Sequence, residues 1–148
     1  MFSQDRATLR LFFVEAWAKA RTGEALEPLE AQIAQIVRMH PEYHPLLESD
    51  EDVLDREWLP ELGESNPFLH LALHTAVLEQ VTTDRPPGIR KLHQTIVANT
   101  GDVHEAEHRI MECLAQTIWH IQAEGKPFDE QAYLECIRRA GDGRRGER

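Results

Sequence analysis

Apolar residues recur along this chain every three to four positions, the period of a helix with one buried face. Leu9, Phe12, Phe13, Ala16 and Ala20, with Trp17 alongside, predict a first helix over about Ser3 to Arg21, with Ser3 as cap and Gly23 as stop. Pro28 opens a second, whose stripe of Leu29, Ile33, Ile36 and Val37 continues to His40 before Pro41 ends it. Asn66-Pro67 is a cap followed by a first-turn proline, and starts a third helix that runs to about Thr83. A short fourth carries Ile89, Leu92, His93, Ile96 and Val97. The fifth and longest runs from about Asp102 to Glu124, inward through Val103, Ile110, Met111, Leu114, Ile118 and Ile121. Asp129 caps a sixth, with Tyr133, Cys136, Ile137 and Ala140 inward.

No segment alternates with period two for long enough to be a strand, and none is rich in β-branched residues. The expectation is an all-α protein, a compact bundle of five to six helices forming one domain over residues 1–140. The glycine- and arginine-rich tail 141–148 is expected to be disordered. The acidic stretch from Glu48 to Glu64, anchored by Trp58 and Leu59, reads as a solvated loop or as a lid over a site.

Composition narrows the class. At 148 residues the chain suits one domain with a real core. A net charge of −10 argues against unspecific nucleic-acid binding, which needs a positive footprint. No run approaches the ~20 apolar residues of a membrane span. The opening Met-Phe-Ser-Gln-Asp-Arg lacks the basic-then-apolar order of a signal peptide. Cys113 and Cys136 have no metal-type spacing and read as small buried residues, reduced in a cytoplasmic protein.

The eight histidines change the picture. Chance would place roughly 0.4 pairs four residues apart; this chain has His40/His44, His70/His74 and His104/His108. Residues so spaced lie one turn above each other on a helix, where two imidazoles can share one ion. His70 and His74 fall on the apolar stripe with Leu73, Val77, Leu78 and Val81, and His104 and His108 lie at the edge of theirs. Glu107 sits near the centre of that stripe, a costly place for a carboxylate that is neither paired nor coordinated. The expected metal ligands are therefore His70, His74, His104, His108 and Glu107, with His93, His40, His44 and Glu112 as further candidates. His120 reads as a surface histidine. Imidazoles with a carboxylate and no thiolate suit a divalent zinc, iron or manganese ion.

Two other readings fit the same residues. His104-Glu105-Ala106-Glu107-His108 matches the H-E-x-x-H helix of zinc metallopeptidases, in which Glu105 would activate water. The third is a metal-free helical interaction protein whose histidines are structural or pH-responsive.

The segments L-R-L-F-F-V-E-A-W, H-P-E-Y-H, N-P-F-L-H-L-A-L-H, D-R-P-P-G-I-R and H-E-A-E-H-R-I-M-E-C-L resemble a family of small, mostly proteobacterial proteins catalogued only as a domain of unknown function. The likeness spans about Met1 to Ala140 and implies a cytoplasmic bacterial protein without implying an activity. In architecture alone the inward histidines are similar to hemerythrin-like and DinB-like metal bundles, with a different ligand spacing.

Overall fold

The computed structural model describes residues 2–49, 58 and 66–142. These residues are helical and contain no strand. Seven α-helices are present: α1 (Phe2–Thr22), α2 (Pro28–Arg38), α3 (His44–Leu47), α4 (Pro67–Thr83), α5 (Ile89–Thr100), α6 (Val103–Glu124) and α7 (Glu130–Asp142). A 3-10 turn, Pro41–Tyr43, lies between α2 and α3. The chain forms two compact units, residues 1–75 and 76–148, with the boundary inside α4.

In the first unit α1 packs on α2 and on α3. Its core is Phe13, Ala16, Trp17, Ile33, Ile36, Val37, Leu47, Phe68 and Leu71. The inward face of α1 is rotated from the one its leucines suggest. Arg10 is buried and takes the slot one turn before Phe13, which leaves Leu9 48% exposed. The Arg10 guanidinium sits 5.0 Å from the centre of the Trp58 ring and 5.1 Å from that of Phe68, cation–π contacts that offset part of its desolvation. Leu29, also expected inside, is 49% exposed because it lies in the first turn of α2, ahead of its packed stretch.

Capping explains where α1 and α2 meet. Glu30 accepts the backbone N–H of Glu27 at 2.9 Å and, through its other oxygen, the ammonium of Lys19 at 2.9 Å. One carboxylate thus closes the start of α2 and ties it to the end of α1. These donors hold the Glu30 carboxyl below its ordinary range, the Glu27 N–H contributing most, and Glu30 in turn raises Lys19. Helix α1 begins at Phe2, so Ser3 lies inside it and not at its cap. Gly23, at φ +78°, ends it as expected.

In the second unit α5, α6 and α7 pack on one another around Ile89, Ile96, Ala106, Ile110, Met111, Leu114, Tyr133 and Ile137. The Tyr133 hydroxyl donates to Gln80 Oε1, joining α7 to the later half of α4, and burial pushes its pKa up. Val103 was expected inward but is the first residue of α6, 50% exposed.

The two cysteines correct the expectation of separate reduced thiols. Cys113 of α6 and Cys136 of α7 are joined by a disulfide, and no free cysteine remains. Their helices pack side by side with Cα atoms 5.8 Å apart, a neighbourhood that a 23-residue separation in sequence does not reveal. The cysteines therefore lend no support to a reducing compartment.

Gly141, expected to open the tail, lies within α7. That residue is the penultimate one of α7, where a Cβ would meet Ile96 Cγ1 at 3.0 Å and where its carbonyl accepts from Asn99 Nδ2 at 2.9 Å. Residues 143–148, and most of the acidic segment read as a loop or lid, lie outside the described residues. Among the described residues no helix is long and apolar enough to cross a membrane.

Candidate metal centre

In the first unit the histidines gather where α2 ends. Pro41 cannot continue the helix, so the chain turns at His40 and re-enters helical geometry at the 3-10 turn. His40 and His44 consequently do not repeat along one helix face. Each instead bonds a different carbonyl near the end of α2, which also accepts a backbone N–H, from Met39 at Ile36 and from His40 at Val37. His40 Nδ1 is 2.7 Å from the Ile36 oxygen, and His44 Nε2 is 2.8 Å from that of Val37. A carbonyl only accepts, so the proton of His40 is on Nδ1 and that of His44 on Nε2. The His44 ring then lies against Trp17, with centroids 4.6 Å apart.

Fixing the His40 proton on Nδ1 turns a bare Nε2 toward α4. His70 Nε2 lies 2.9 Å from it, and the ring of the fully buried His74 stands edge-on to His40 with centroids 5.1 Å apart. Position on α4 follows from its cap: the Asn66 side chain accepts the N–H of Phe68 at 2.9 Å and of Leu69 at 3.2 Å, which sets the phase that brings His70 and His74 inward. The Tyr43 ring stacks on His40 at 5.5 Å, and burial raises its hydroxyl pKa.

In the second unit Asp102 caps α6, accepting from the backbone of His104 at 3.0 Å and of Glu105 at 3.2 Å. The His104 and His108 rings meet at nearly right angles with centroids 4.1 Å apart. Glu107 is buried, as its place in the apolar stripe predicts. His93 of α5 points its Nε2 toward Glu107 Oε2 at 3.7 Å, too long for a hydrogen bond. Glu112 is exposed, and His120 is a surface residue beside Glu124.

The two glutamates of the H-E-x-x-H segment have different surroundings. Glu105 Oε2 accepts from Arg109 Nε at 3.0 Å, while Arg109 Nη1 donates to the Ala140 carbonyl at 2.8 Å. Arg109 is buried and pins α6 to the end of α7. Arg109 is absent from the residues expected to matter, although its spacing of four from Glu105 is the signal of a helical ion pair. In sequence, the proline after His40 hides the turn that aims its ring.

His40 and His74 in the first unit, and His104 and His108 in the second, each offer a ring nitrogen that could take a metal ion. The bond from His40 Nδ1 to a backbone carbonyl is the arrangement that fixes the tautomer of metal-bound histidines and raises their basicity.

No curated protein and no solved structure matched the chain. A family model did, over residues 5–139, and the protein belongs to the family described as Domain of unknown function (DUF1841).

Proposed function

We propose that this protein binds divalent metal ions through its inward imidazoles: His40 and His74 in the first unit, with His70 beside them, and His104 and His108 in the second, with Glu107 beside them. Each of these four histidines, His40 and His74 buried and His104 and His108 half-buried, offers one ring nitrogen that could ligate an ion. The observation that carries the reading is His40. It is buried, its tautomer is set by Ile36, and its unprotonated nitrogen turns to further imidazoles. Burying several imidazoles together is costly unless each nitrogen is hydrogen-bonded or coordinated, and an ion satisfies several at once. The donor set is nitrogen with carboxylate nearby, which suits zinc, iron or manganese.

The peptidase reading loses ground, since the glutamate that would activate water is engaged by Arg109. The metal-free reading draws on the same imidazole pair, because His70 Nε2 can donate to His40 Nε2 as an ordinary hydrogen bond. Elemental analysis of untagged protein, with thermal melts after adding zinc, iron(II) or manganese, separates them. A stoichiometric ion or a metal-specific rise in melting temperature supports the metal reading. Neither result leaves the metal-free one.

A further inference from the structure

We propose that the Cys113–Cys136 disulfide is a thiol-exchange site, at which a small-molecule thiol enters on the Cys136 side. The two sulfurs are not equivalent. Cys113 is 3% exposed, within the packed face of α6. Cys136 is half-buried and lines a cavity of about 320 Å³ together with Gln116, Thr117, His120, Glu135 and Arg139. Cys113 is not among the residues lining it. That volume is at the small end of ligand pockets and accommodates a compact thiol.

Exchange requires the incoming thiolate to reach one sulfur and expel the other. Access through the cavity directs attack to Cys136 Sγ. The S–S bond breaks, a new S–S bond joins the ligand to Cys136, and Cys113 leaves with the electron pair. It takes up the proton that the incoming thiol gave up, because a thiol buried in apolar surroundings favours its neutral form. A second thiol attacking the mixed disulfide releases the oxidised thiol dimer and leaves Cys136 reduced. Overall, two thiols are oxidised to one disulfide as the protein disulfide becomes two thiols. The result is to uncouple α7 from α6 at one covalent point. The histidines proposed to ligate metal play no part in this step.

Protein purified without reductant, alkylated with iodoacetamide and weighed intact should show no modified cysteine. Brief treatment with reduced glutathione, acid quenching and peptide mapping should then place the glutathione adduct on Cys136. In reverse, Cys113→Ser should react with oxidised glutathione at least about tenfold faster than Cys136→Ser, whose remaining thiol is buried. Circular dichroism checks that both variants are folded, and the wild-type map needs no variant. Two alkylated cysteines in untreated protein, an adduct mainly on Cys113, or no adduct below the concentration that unfolds the chain would each overturn the proposal.

Discussion

The Nε2 atoms of His40 and His70 face each other 2.9 Å apart, and only one proton fits between them. Because the His40 proton is on Nδ1, donated in a hydrogen bond to the Ile36 carbonyl, the shared one belongs to His70. An ion bound at His40 Nε2 must displace that hydrogen bond, so His70 is expected to reorient or to join the ligands. Substituting His40 or His74 with alanine should lower metal affinity by at least roughly 100-fold, whereas His120→Ala should leave it unchanged. Metal content per chain, read beside circular dichroism, checks this. Equal retention in all three variants would remove these histidines from the site.

The cap of α6 is expected to support the imidazole of His104. Asp102→Ala leaves the first-turn N–H groups of His104 and Glu105 without their acceptor and should cost about 1 kcal/mol of stability. The first turn then frays around His104. Chemical denaturation gives the energy, and a metal titration tests whether affinity falls as well. Asp102→Asn keeps an acceptor and should restore most of both.

Arg109 is expected to be structural. Arg109→Ala removes the donor of the part-buried Ala140 carbonyl and the partner of Glu105, at a cost of roughly 1–3 kcal/mol. The loss should appear as a lower denaturation midpoint. If stability is unchanged while metal content collapses, Arg109 serves the site and not the α6–α7 packing.

The pairing of Glu30 with Lys19 predicts a pH dependence at both ends of the scale. Glu30 titrates lower in the folded chain than its ordinary 4.5, so its contribution is complete above that value and is lost as pH falls through the lowered pKa. Lys19 titrates higher than its ordinary 10.5, so its contribution is present below that value and disappears as pH rises through the raised one. Lys19 is solvent-exposed, so screening keeps the effect modest. Glu30→Gln should melt below wild type at neutral pH and converge with it in strong acid. A constant gap across that range would show that the carboxylate's charge is not what joins α1 to α2.

The sequence by itself determined the all-α class, the limits of the longer helices and the caps at Asn66, Asp102 and Asp129. Each of these is local: a period of 3.6 residues, or a side chain that reaches its own backbone two or three positions on. It also singled out His74 and Glu107 as inward-facing, because the neighbours that bury them lie along the same helix.

Contacts between elements were decided only by the tertiary structure. The turn at Pro41 aims His40 at α4 and His44 at Trp17, so two histidines four apart in sequence serve different surroundings. Arg10 displaced Leu9 from the core face of α1 because two aromatic rings, distant in sequence, stand ready to hold it. Cys113 and Cys136 could pair only once α6 and α7 lay side by side. Glu105 and Glu107, near-equivalent in a five-residue motif, were separated by what meets them: an arginine for one and the imidazole of His93 for the other. A helical period tells which side of a helix a residue occupies, but the partner on that side is supplied by another helix.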